Sequence, residues 1–315
     1  MKGDALFFAG ILIFIFIVWV ATGGPSRPIS FAGPFLTPLT PTGQTHGYYL
    51  SSGRGEGGGA PTTGSISAQV SQTQSQVNQL EQQVTAYQAF GNPSPYRGLV
   101  TLSRGSFSGV SAASQEYLQM QLSSQATTSV SITGWTVEST VTGKSALIPG
   151  GTMVPLSGVI NASGTITLDP GDTAFLISGQ SPIGASFRTN LCIGYFAQFQ
   201  KFYPQLPSVC PMPVDEANRV LSDLNSDDAC RAFLNSVPRC TLVSNKPVNL
   251  TTDCTNFIEN DLNYNGCVML HRNEAAFNGS RWYVYLGRTT PMWKSQYETV
   301  KLLDANGLTV AMFSY

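Results

Sequence analysis

"VSITGWTVES", Val130 to Ser139, carries apolar residues at Val130, Ile132 and Val137 with polar residues between them. That is strand alternation. A glycine followed by the largest side chain, Gly134-Trp135, interrupts it. A glycine inside a strand marks a bulge or a close backbone approach. A tryptophan beside it can turn inward and fill the space between two sheets. The pair therefore reads as architecture, with Trp135 as a core residue.

The neighbourhood supports a β-rich reading. In "EYLQMQLSS", Leu118, Met120 and Leu122 share one face and Tyr117, Gln119 and Gln121 the other. Leu118 and Met120 join Trp135 in the expected core. "GTITLDPGDTAFLISG" reads as two strands about an Asp169-Pro170-Gly171-Asp172 turn. "WYVYLG" and "ETVKLLDANGLTVAMFSY" read as strands, and Asn306-Gly307 is a hairpin signal.

"EYLQMQLSSQATTSVSITGWTVES" resembles the lamin-tail domain, an immunoglobulin-like β-sandwich. Glu116-Tyr117-Leu118-Gln119-Met120 stands where that family has an "EYIEL"-like strand, and Ile132 to Val137 where it has "SGWTL". "IPGGT" (Ile148 to Thr152), "LDPGDTAFLI" and the closing hairpin ending at Tyr315 are similar to its later elements. The resemblance covers about Gly98 to Gly179 and Trp282 to Tyr315. It implies a binding or structural module with no catalytic residues of its own.

Composition narrows the function classes. Of 315 residues, 11% are charged and the net charge is −1, against about 25% charged in ordinary soluble domains. No basic face exists to neutralise phosphates, so nucleic acid is excluded as a partner. From Ala5 to Ala21 the chain is uncharged and apolar. Such a run spans about 25 Å as a helix, near the ~30 Å bilayer core. Residues 1–21 thus read as a transmembrane anchor, with a cleaved signal peptide as the rival. The body then lies on the outer, extracytoplasmic face of a bacterial membrane.

Residues 22–65, rich in Gly, Pro, Ser and Thr, read as a linker, and His46 within it has no role. Residues 66–91 read as a helical stalk. Val70, Val77 and Val84 recur every seven residues, as do Ile66, Thr73, Leu80 and Tyr87. Such a seam predicts either a short coiled coil, with self-association through 66–90, or a helix lying on the next domain. Residues 96–189 then carry the first part of the sandwich, 190–281 a helical cysteine-rich insertion, and 282–315 the final strands.

The insertion holds Cys192, Cys210, Cys230, Cys240, Cys254 and Cys267. An even number behind an export segment predicts three disulfides. The shortest loops pair Cys192 with Cys210, Cys230 with Cys240 and Cys254 with Cys267. Neither Cys-x-x-Cys nor paired histidines is present, so no metal site and no cofactor are expected. "DLNYNGCVML" begins like a calcium loop at Asp261, Asn263 and Asn265, but Arg272 stands where the closing glutamate belongs. "SDDACRAFLNSV" reads as a helix capped by Ser226, and "TTDCTNFIEN" as one capped by Thr251 or Thr252.

His271 in "LHRNE" belongs to no catalytic signature, and "GQSPIG" around Ser181 lacks the second glycine of a nucleophile elbow. "YFAQFQKFYP" places Tyr195, Phe196, Phe199, Phe202 and Tyr203 within nine residues. They are either core packing or a binding surface for glycan or protein. The expected function is non-enzymatic: a membrane-anchored structural or adhesion protein. Two alternatives stand beside it, a glycan- or protein-binding module using these aromatics and an envelope hydrolase built across the junction of sandwich and insertion. A pocket joining His271 to an acid and a hydroxyl would favour the hydrolase.

Overall fold

The computed structural model describes residues 63–106 and 111–315, and Ser67–Tyr315 form one compact unit. The alternation at 130–139 is divided between two strands, β3 (Val130–Ser131) and β4 (Thr136–Ser139). They lie in different sheets. β3 pairs with β6 (Thr167–Leu168). β4 lies between β5 (Ser145–Leu147) and β10 (Thr299–Leu303).

Gly134-Trp135 is the turn that carries the chain from one sheet to the other. The Trp135 N–H donates to the Ile132 carbonyl at 3.1 Å, and Gly134 has φ +83°. A Cβ at Gly134 would meet nothing within 4 Å. Glycine is needed there for its backbone conformation and not for space. Gly134→Ala should therefore cost about 1–2 kcal/mol, the left-handed penalty, and Gly134→Val more. Urea midpoints of the full chain check this. Parent-like unfolding of Gly134→Val would show that the turn is not left-handed.

The largest sheet has the order β1-β2-β7-β9-β8, with β1 at Val100–Ser106, β2 at Tyr117–Leu122, β7 at Thr173–Ile177, β8 at Phe187–Asn190 and β9 at Asn278–Tyr285. The second has the order β11-β10-β4-β5, with β11 at Thr309–Ser314. β7 and β9 run parallel; the other pairs of the large sheet are antiparallel. Parallel neighbours need a long crossover, and the chain between β8 and β9 supplies most of it. That chain folds as four helices: α2 (Pro213–Val220), α3 (Asp228–Ser236), α4 (Thr252–Asn260) and α5 (Tyr264–His271). Among the described residues the fold is mixed α/β and no sheet closes on itself. This corrects the expectation of a mainly β, immunoglobulin-like sandwich. Strand alternation predicts strands, but not the direction in which a distant strand enters a sheet.

β7 and β9 are buried on both faces, which explains their unbroken apolar runs. Ala174, Leu176, Trp282 and Val284 face a core shared with Leu118, Met120, Trp135, Val137, Val300 and Leu302. Their alternating neighbours Phe175, Ile177, Tyr283 and Tyr285 face a second core with Phe187, Ile193, Tyr195, Phe196 and Phe202. A third core lies among α2, α3 and α4, around Ala217, Leu234, Cys254 and Phe257.

The first helix, α1, runs Thr63–Phe90 and ends at Gly91, φ +81°. Val70, Val77, Leu80, Val84 and Tyr87 are exposed on it. They fall on one face, but Thr73 interrupts it, and the helix as a whole is scarcely more apolar than polar. The coiled-coil reading is corrected accordingly. Among the described residues no helix is long and apolar enough to cross a membrane. The apolar segment 5–21, His46 and the linker through residue 62 lie outside the described residues. Membrane attachment, and the extracytoplasmic placement that followed from it, have no support in the structure and are withdrawn.

Candidate active site

The cysteine-bearing block is ordered by local chemistry before tertiary contacts act. α2 begins with Pro213 and carries Asp215 and Glu216 in its first turn, where proline is tolerated and acids meet the positive helix end. Asp227, rather than Ser226, caps α3, accepting from the Cys230 N–H at 2.9 Å. Thr251 caps α4 in the same way through the Cys254 N–H. Asn263 caps α5 through the Gly266 N–H at 3.0 Å. The oxygens that resembled a calcium loop are thereby engaged: Asn263 caps a helix, and the Asn265 amide binds the Ser157 backbone in both directions.

The pairs of the three disulfides are Cys192–Cys267, Cys210–Cys240 and Cys230–Cys254. This corrects the shortest-loop pairing. Loop-closure entropy grows only logarithmically, so widening a loop from 18 to 75 residues costs about 1.3 kcal/mol. Cys192, Cys210 and Cys267 all lie in the second core, so packing within it, and not loop length, selects the partner.

Folding also places side chains together that are far apart in sequence. His271 ends α5, and its Nε2 lies 2.7 Å from Glu216 Oε1 of α2, 55 residues away. Both residues are only 2% exposed. On the other side, His271 Nδ1 is 2.9 Å from Glu274 Oε1 but out of line for a hydrogen bond. Arg219 Nη1 donates to the same Glu274 oxygen at 2.7 Å. The contact from His271, then that from Arg219, holds the Glu274 carboxyl below its ordinary range. An imidazole is thus held between an interior carboxylate and one at the surface.

The arrangement is incomplete at two atoms, His271 Nδ1 and Glu216 Oε2. Glu216 Oε2 is buried with no hydrogen-bond partner, and a buried, unpaired polar atom is costly. Tyr195 lies within electrostatic reach of Glu216. Burial first, and the Glu216 charge second, push its hydroxyl well above the usual phenol range. His271 and Glu216 are thus brought together, with Tyr195 within electrostatic reach of the acid.

Cys267 Sγ, Glu216 and His271 present ligand atoms within 4.8 Å of one another, and Asp227, Cys230 and Cys254 form a second such group. Each sulfur belongs to a disulfide and lacks the thiolate charge that binds metals well. The spacing suits an ion, but the bonded sulfurs leave one nitrogen and one oxygen donor in the first group, short of a zinc set. Acid–base chemistry needs only the nitrogen and the oxygen. The second group borders a cleft of about 740 Å³ between the end of α2 and the starts of α3 and α4.

These clusters correct the reading of the chain as non-enzymatic. Glu216 was missed because "PVDEANRV" signals only a helix start. His271 was set aside because no partner stands near it in sequence. The aromatic run divides: Tyr195, Phe196 and Phe202 are buried, Tyr203 is half-buried, and Phe199 is 72% exposed. Phe196 stacks on Tyr264 with ring centres 4.1 Å apart.

No family model, curated protein or solved structure matches the chain. The lamin-tail resemblance is therefore corrected. The "EYLQM" and "ITGWTV" stretches do form a strand and a sheet-to-sheet turn, but in a sheet containing a parallel pair and with a four-helix crossover.

Proposed function

We propose that the chain is a hydrolase using Glu216 and His271 for general acid–base catalysis. The observation that carries this reading is the buried 2.7 Å contact between His271 Nε2 and Glu216 Oε1, with Glu216 Oε2 left unsatisfied. A carboxylate on one imidazole nitrogen fixes the ring's orientation. The other nitrogen faces Glu274, half-exposed and held by Arg219. Glu216 Oε2, the oxygen left unpaired, is the atom available to take or give a proton. Tyr195, within electrostatic reach of Glu216, also lines a surface groove. Substrate in that groove would meet the tyrosine, with the acid–base pair behind it.

The test is turnover of chromogenic esters, anilides and glycosides by the full chain. Glu216→Gln and His271→Gln should each lower turnover by about 10²- to 10⁴-fold, the usual contribution of one acid–base group. Circular dichroism must show both variants folded. Undiminished hydrolysis by the folded variants, or no hydrolysis of any substrate by the parent, would overturn the assignment.

A further inference from the structure

Two adjoining hollows of about 270 Å³ each lie over the aromatic segment. Phe196, Gln200 and Ser157 line both. The first also takes Tyr195, Phe199 and Asn265 into its wall. No charged side chain lines either hollow. That absence discriminates among ligands: a groove for phosphates, carboxylates or cationic peptides would carry a compensating charge.

What lines the first hollow instead is aromatic rings and amides, and the second adds the aliphatic Leu156, Val159, Ile160 and Ile183. Asn263 and Asn265 are engaged within the protein, so Gln200 brings the amide and Ser157 the hydroxyl. Phe199 is 72% exposed although its neighbours Tyr195 and Phe196 are buried, so one ring face is presented to solvent. The Phe196 ring, stacked on Tyr264, forms a fixed floor. Asn265 clamps the Ser157 backbone through two bonds, at 3.0 and 3.1 Å, and so holds the opposite wall in place. Gln200, on the rim of both hollows, has its amide available for a ligand.

We infer that this groove binds a neutral carbohydrate chain. A pyranose ring has an apolar C–H face, which packs on an aromatic ring, and an equatorial belt of hydroxyls, which pair with amides and hydroxyls. Both are present here and ionic partners are not. A purely apolar ligand would leave the Gln200 amide and the Ser157 hydroxyl desolvated without partners, at a cost. Two adjoining hollows fit consecutive sugar units better than one compact molecule. As a substrate assignment the inference rests on the hydrolase reading, since Tyr195 joins the groove to Glu216; as a binding site it stands on the groove alone.

The experiment titrates the full chain, by calorimetry and by ligand-observed NMR, with three linear hexasaccharides: β-1,4-linked glucose, β-1,4-linked N-acetylglucosamine and galacturonate. At least one neutral hexamer should bind, and galacturonate at least about tenfold more weakly. Phe199→Ala should lose about tenfold in affinity while melting like the parent, because the ring is largely in water. Glu216→Gln should bind the neutral hexamer as the parent does. Failure of both neutral hexamers to bind, equal binding of galacturonate, or parent-like affinity of Phe199→Ala would overturn the inference. Binding without cleavage of any hexamer by the parent supports the groove and counts against its link to the acid–base pair. Cleavage of esters or anilides without sugar binding removes the sugar and leaves the hydrolase.

Discussion

Trp135→Ala should lower the stability of the chain by about 3–5 kcal/mol, the usual cost of truncating a buried tryptophan. Trp135 is 2% exposed and belongs to the core shared by the large sheet and β4 and β10. Its ring lies 5.2 Å from that of Tyr96, just before β1. Backbone bonds to Ile132 and Ile148 hold it in place, with Ile148 donating to the Trp135 carbonyl at 2.7 Å. The surroundings cannot collapse freely into the space it would leave. Domains hold about 5–15 kcal/mol in total, so a loss of this size takes a large share. Urea unfolding of the full chain gives the value. Val248→Ala, at a fully exposed position, should shift it by less than about 0.5 kcal/mol. Equal unfolding midpoints for the tryptophan variant and the parent would place the ring outside the core.

Replacing both Cys192 and Cys267 with alanine should cost about 4.5 kcal/mol by the chain-entropy relation for a loop of 75 residues. The same relation assigns about 3.4 kcal/mol to the 24-residue Cys230–Cys254 loop. The order is the useful part. If shortest loops decided the pairing, the three bridges would be nearly equal and none would join β8's end to α5. Urea midpoints of the two double variants should therefore rank with the Cys192/Cys267 pair more damaged. A proteolytic map of the unreduced chain should recover a peptide linking Cys192 to Cys267. A peptide linking Cys192 to Cys210 would contradict the fold itself, since those sulfurs are separated by other bonds here. The Cys192/Cys267 bridge also anchors α5, which carries His271, so its removal should depress any hydrolysis that depends on the Glu216–His271 contact.

Features decided within a few residues were legible in the sequence. Leu118, Met120 and Leu122 alternate inward on β2 because side chains of a strand alternate. Thr251 caps a helix because its oxygen reaches an N–H three residues on. A helix over 66–90 followed from the absence of proline and its end at Gly91. The unbroken "TAFLI" and "WYVY" runs showed strands, though not that each is covered on both faces. At Gly134-Trp135 the residue types predicted an irregularity and a buried ring, but alternation continued across the turn and concealed the change of sheet.

By itself the sequence determined helix caps, strand faces and the conformation at Gly134, since each depends on sterics and hydrogen bonds among near neighbours. Only the tertiary structure decided which strands pair and in which direction, which cysteines bond, and that Glu216 meets His271. These depend on what lies opposite after a stretch of chain has folded, from 24 residues between Cys230 and Cys254 to 108 between Thr173 and Arg281. Closing such loops costs little more than closing short ones, so spacing along the chain carries almost no information about them; burial and packing choose the partners.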